Sequence, residues 1–203
     1  MEVLFFGGSF NPPHLGHRHV IETISKSYPK ALLYICPNFV SPLKEDGKEF
    51  SAEVIWKLCI TEFEGLLSKN VILWDEEIKK QNTSYTIDSL KTLQTLYPHS
   101  KISLVIGEDN LGSFDKWKSY LEILSITEKI IVVRRNTPYP KDVPIPIVFP
   151  PSKVKVLSNP VLPISSTEIR QIIQGNFNTE YLLPKTKELV LKYLTTTNKG
   201  GSL

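Results

Sequence analysis

Two histidines three residues apart, His14 and His17, stand with Gly16 between them in the string GGSFNPPHLGH, residues 7–17. At the start of a helix this spacing sends both imidazoles to nearly the same place, and the glycine leaves room between them. Beside a phosphate, two such donors can carry developing negative charge without a metal ligand set. A turn bearing two solvated histidines has the same local sequence, and zinc would need a third ligand that no suitable spacing supplies. Far along the chain, ISSTEIR (164–170) has Ser165 three residues before Glu168. That spacing reads as a capping box, and hydroxyls, free N–H groups and the positive dipole end would converge there. Arg170, one turn further on, can make a bidentate phosphate contact. An ordinary capped helix with a surface arginine would look the same.

The elements that must position these residues alternate in type. Apolar runs at 3–6, 31–36, 70–74, 102–106, 129–133 and 154–157 read as strands. Amphipathic patterns predict helices over 15–28, 51–67 and 86–97, then a helical stretch through Leu124. Two more helices, from Ser166 and from Lys185, close the pattern. Continuous apolar strands separated by helices are what a parallel sheet covered on both faces requires. The expected fold is therefore α/β, a doubly wound parallel sheet with C-terminal helices. GGSFNPPHLGH is then the loop after the first strand, the commonest ligand position in such sheets. Neither the dinucleotide glycine pattern nor the P-loop pattern occurs in it.

Length and composition narrow the class further. A chain of 203 residues suits one substantial domain. Residues 1–194 are expected to form it, with a disordered tail over 195–203. The 24 basic and 21 acidic residues leave a formal charge of +3 with no block of either sign, which points away from nucleic acid and membrane partners. Cys36 and Cys59 lie within apolar runs, as buried thiols of a reducing compartment do. No basic leader or membrane-length apolar run is present, so a cytoplasmic protein is expected. Homo-oligomerisation is left open.

The full string GGSFNPPHLGH resembles the (T/H)xGH signature of the nucleotidylyltransferase superfamily, in the GGTFDPxHxGH form of bacterial nicotinate mononucleotide adenylyltransferases. ISSTEIR resembles the second signature of that superfamily, ISSTxIR. SYTIDSL (84–90) is similar to the family's SYTIDTL, IGEDNLGSFDKW (106–117) to GADxLxxLxxW, PNFVSPLK (37–44) to PxxxPPHK, and VVRRN to VxR. The likeness runs from Met1 to about Leu194.

The resemblance implies adenylyl transfer from ATP to nicotinate mononucleotide, giving nicotinate adenine dinucleotide and pyrophosphate, with Mg²⁺ accompanying the ATP. It puts His14, His17, Lys44 and Arg170 in the catalytic role. ATP would also meet Gly8, Ser9, Phe10, Gly16, Gly107, Asp109, Ile164, Ser165, Ser166 and Thr167. Nicotinate mononucleotide would meet Ser84, Tyr85, Thr86, Trp117 and Arg134. Thr86 is expected to cap its helix and leave N–H groups for a carboxylate. A phosphate nucleophile already ionised at pH 7 needs no general base, so alignment and charge screening should carry the rate. The chain departs from the family at Ser9, Asn11, Leu43 and Glu108, the last in place of alanine, and lacks the arginine of RxxM. The rivals are a pantetheine phosphate adenylyltransferase, which shares both signatures, a cytidylyltransferase, and a non-catalytic nucleotide-binding module.

Overall fold

The computed structural model describes residues 1–40, 49–135, 137–138, 141–174 and 179–197. β1 (Glu2–Gly8), β2 (Leu32–Pro37), β3 (Val71–Leu73), β4 (Lys101–Gly107), β5 (Ile130–Val133) and β6 (Val154–Val156) make one sheet in the order β3-β2-β1-β4-β5-β6. Every neighbouring pair is parallel, with Val3 beside both Leu32 and Ile102 in the central register. Because side chains alternate across a strand, Leu4, Phe6, Leu33, Ile35, Val105 and Ile131 enter one buried cluster and Val3, Phe5, Tyr34, Cys36, Leu104 and Ile130 the other. Helices cover both faces, as the unbroken apolar runs demand.

The first face carries α1 (Leu15–Ser27), α2 (Ala52–Glu62), α6 (Ser166–Gln174) and α7 (Pro184–Thr197), which contribute Ile21, Ile55, Ile169 and Val190 to the first cluster. The second face carries α4 (Thr86–Leu96) and α5 (Tyr120–Ile126), through Leu90 and Ile123. A short α3 (Glu76–Lys80) precedes α4. Lacking an apolar stripe, α3 is invisible to periodicity. It shows instead in charge order, acids before bases, with Lys79 and Lys80 paired to Asp75 and Glu76 at 3.0 and 2.7 Å.

Three boundaries differ from the expectations. α2 stops at Glu62 rather than at 67, because the chain turns through Gly65 at φ +80°. The stretch after β4 splits into a 3₁₀ segment, Glu108–Lys116, and α5. Leu111, Phe114 and Trp117 recur every three residues there, the period of a 3₁₀ turn rather than of an α-helix. α7 runs to Thr197, three residues into the segment expected as a tail, and 198–203 lie outside the described residues.

Candidate active site

From β1 the chain winds outward to β2 and β3, then returns to place β4 on the other side of β1. At this switch point the connections leave in opposite directions and open a crevice beyond the carboxyl ends of the strands. A cleft of about 640 Å³ lies there, lined by Gly7 and Gly8 at the end of β1 and Gly107 at the end of β4. Its size falls in the range of small-molecule sites. Four element starts face it: the loop into α1, the 3₁₀ segment, α4 and α6.

His14 is the N-cap of α1, and its Nδ1 accepts the Gly16 N–H at 3.1 Å. The ring proton is thereby assigned to Nε2, a buried atom with no hydrogen-bond partner among the described residues. Burial, helped by the nearby Arg135 guanidinium, holds the imidazolium pKa down to about 3. His14 is therefore neutral near pH 7, with one N–H left to donate. The His17 ring stands 3.8 Å from it, centroid to centroid, and 4.8 Å from that of Phe10 on the other side. Phe10 is buried in the left-handed region at φ +43°, a conformation that packing against Phe6 and Phe63 maintains. A Cβ on Gly16 would stand 2.8 Å from the His14 ring. Position 16 thus admits only glycine while His14 keeps its place.

The distant ISSTEIR string is tied directly to this loop. Arg170 donates from Nη1 to the Asn11 carbonyl at 2.8 Å, and the Ser166 hydroxyl donates to the Pro12 carbonyl at 2.9 Å. The other Arg170 nitrogen reaches the Thr167 hydroxyl at 3.1 Å. The capping box forms as the spacing predicts: the Glu168 N–H donates to Ser165 Oγ at 3.2 Å, and Glu168 Oε2 accepts the Ser165 N–H at 2.7 Å. Ser165, Ser166, Thr167 and Arg170 all line the cleft, together with Gly8, Ser9, Phe10 and His17.

Across the cleft, Ser84, Tyr85 and Thr86 border the start of α4. Thr86 is not the cap. Tyr85 holds that position in extended backbone and its side chain makes no capping hydrogen bond, while the Asp88 N–H closes onto the Tyr85 carbonyl at 2.9 Å. Thr86 instead occupies the first helical position, where its own N–H belongs to the open set. Ser84 braces the loop after β2, its hydroxyl accepting the Phe39 N–H at 2.9 Å. Trp117 lines the same end, half-buried against Phe114, and Lys118 lies 4.1 Å over the Tyr85 ring. Asp109 lines the cleft at the end of β4.

Gly16 and Ile164 line a small cavity of about 30 Å³ that adjoins the cleft at His17 and Gly107. Lys44 lies outside the described residues. Arg134 borders that small cavity and not the cleft itself: it is buried, donating from Nε to the Leu157 carbonyl at 2.9 Å and from Nη1 to the Lys141 carbonyl at 2.6 Å. Its neighbour Arg135 lines the cleft instead, 3.8 Å from Asp109. Successive residues at a strand end point to opposite sides, so VVRRN announces one inward and one outward arginine without saying which is which. Glu108, read only as a departure, accepts the Arg135 and Thr137 N–H groups at 3.1 and 3.0 Å. No cluster of three His, Cys, Asp or Glu side chains able to hold a metal occurs among the described residues.

A cytidylyltransferase-like family model matches residues 5–172. The Leptospira interrogans protein named "Probable nicotinate-nucleotide adenylyltransferase" is 34% identical over 194 residues, 92% of each chain. Plasmodium falciparum nicotinic acid mononucleotide adenylyltransferase, solved in complex with NaAD, superposes with a TM-score of 0.73 at 19% identity over 95% of both chains. A bifunctional NMN adenylyltransferase/ADP ribose pyrophosphatase from Francisella tularensis, solved with AMP and a manganese ion, has the same fold at a TM-score of 0.52 and 18% identity. The match covers 96% of this chain and 49% of that one. With identity of this level sustained along nearly the whole chain, and with both signature strings facing one cleft, the protein belongs to the nicotinate-nucleotide adenylyltransferases of the cytidylyltransferase-like family.

Proposed function

We propose that this protein transfers the adenylyl group of ATP to nicotinate mononucleotide in the cytoplasm, as a step of NAD biosynthesis. A phosphate oxygen of the mononucleotide attacks the α-phosphorus of ATP. The bond from that phosphorus to the bridging oxygen breaks, and pyrophosphate leaves with the electron pair. No proton has to move for this exchange.

The observation that carries the reading is the convergence of two donor sets on one cleft. At one end stand His17, with the buried His14 ring 3.8 Å behind it, and the α6 start, joined to the α1 loop through Arg170 and Asn11. The open α4 start and Trp117 stand at the other. Neutral His14 offers Nε2–H to an anion without the cost of burying an imidazolium. His17, Thr167 and Arg170 would hold the triphosphate, and Lys44 would join them on the strength of the family resemblance. The first-turn N–H groups of α4 suit the nicotinate carboxylate, and the Trp117 face suits its ring. Asp109 borders the nucleotide side.

A Mg²⁺ would enter with ATP, since the cleft's side chains near His17 and the α6 start, among the described residues, are mainly hydrogen-bond donors. Held by phosphate and water oxygens, with Asp109 the cleft's exposed carboxylate, the ion would neutralise charge on the leaving pyrophosphate. Pyrophosphate release from ATP, measured with nicotinate mononucleotide, nicotinamide mononucleotide and phosphopantetheine side by side, tests the reading. Preference for the first supports it. Preference for phosphopantetheine, or no release with any acceptor, overturns it.

A further inference from the structure

We infer that Glu108 is a positioning residue that presets Arg135 at the triphosphate end of the cleft, an assignment that rests on the adenylyl-transfer reading above. β5 ends at Val133, and beyond it the backbone has left the sheet ladder. Arg134 turns inward to carbonyl oxygens, while Arg135 turns outward to the cleft. What holds this reversal is a carboxylate from the neighbouring strand end. Glu108 Oε2 accepts the N–H groups of Arg135 and Thr137 at 3.1 and 3.0 Å, and Oε1 accepts the Thr137 hydroxyl. Three donors on one side chain suit a carboxylate, which has acceptor sites on both oxygens and no hydrogen to clash.

Arg135 is thereby held where a triphosphate would need a cation. Its Cδ lies 2.8 Å from where a Cβ on Gly107 would be, and its guanidinium is close enough to His14 to disfavour a second positive charge there. Asp109, at 3.8 Å, keeps the guanidinium on the cleft side of β4. The family pattern has alanine at position 108, which accepts nothing. In this chain the loop carries its own internal anion, so Arg135 is set before ATP arrives, and the ordering cost is met in folding rather than in binding.

The test is a double-mutant cycle read on ATP affinity by calorimetric titration and on the separate KM values for ATP and nicotinate mononucleotide. Glu108→Ala is expected to raise the Kd and KM for ATP about tenfold, leaving the mononucleotide KM within twofold. Glu108→Gln, which keeps one acceptor oxygen, should raise them about threefold. Arg135→Ala should match or exceed Glu108→Ala, and adding Glu108→Ala to it should cost nothing more. Unchanged ATP affinity in Glu108→Ala, or a loss of full size in the Arg135→Ala background, overturns the assignment. Should Glu108→Ala fail to fold, Glu108→Gln completes the same cycle. A wild-type protein that binds ATP but releases no pyrophosphate sinks the proposed reaction, whereas the affinity cycle still reads Glu108.

Discussion

At the start of α6 the Glu168 carboxylate folds back to the Ser165 N–H at 2.7 Å, while at the start of α4 the Tyr85 side chain makes no capping hydrogen bond. Both starts border the same cleft. The capped helix has answered part of its own backbone demand with Ser165, so what it presents to a ligand is mainly side chains: the Ser166 and Thr167 hydroxyls and the Arg170 guanidinium. The uncapped helix presents backbone N–H groups, a small concave set of donors suited to a single carboxylate. A flexible triphosphate and a planar acid call for those different surfaces. The α1 start is a third case, in which the capping group is the buried ring of His14, whose Nε2 has no hydrogen-bond partner among the described residues.

The severest break of this division is His17→Ala, which should lower kcat on the order of a hundredfold or more with the fold and the mononucleotide KM retained. Near-normal turnover in steady-state assays would take His17 out of the phosphate wall. His14 supplies a pH test. Its folded pKa, about 3 against an ordinary 6.5, means the folded state disfavours protonation. The stability this gives is fully present above pH 6.5 and is lost as pH falls from 6.5 toward 3. His14→Asn keeps a capping side chain, so its unfolding free energy should lose that acid limb, roughly 3 kcal/mol by pH 4. An identical pH profile in wild type and variant would refute the burial argument.

Gly16→Ala pushes a methyl group against the His14 ring, and kcat/KM for ATP should fall roughly thirtyfold while circular dichroism stays native. On the other wall, Thr86→Pro removes one open N–H at the first helical position, where proline is tolerated and where Tyr85 already has the extended backbone proline requires. The ratio of kcat/KM for the nicotinate over the nicotinamide mononucleotide should drop about tenfold, and Thr86→Ala should retain most of it. Equal ratios in the two variants would mean that the hydroxyl, not the backbone, reads the acid. The smallest effect belongs to Glu168→Ala, which opens the α6 cap: a loss of about 1 kcal/mol in denaturant unfolding, with the acid preference untouched.

Much of this was legible locally. Strand alternation, the capping box at Ser165 and Glu168, the need for glycine at position 16 and the charge order of α3 depend on residues within a turn or two of each other. The three-residue recurrence of Leu111, Phe114 and Trp117, the period of a 3₁₀ turn, belongs with them. Two rare strings, one near each end of the chain, also carried the family, and the structure brings both to one cleft.

Other features depend on parts of the chain that only folding brings together. Arg134 and Arg135 are chemically identical neighbours, and the carbonyl groups of Leu157 and Lys141 decide which one is buried. Thr86 fits a capping reading by type, yet the backbone turns at Tyr85 and leaves the first turn open. Glu108 looked like a blemish in a motif until Thr137, twenty-nine residues on, supplied its hydroxyl and N–H. Sequence by itself determined the order of the six strands and of the longer helices, because helix caps and apolar periods are short-range effects. The tertiary structure alone decided which donors face the cleft, because that depends on partners contributed by other strands and on how each strand end leaves the sheet.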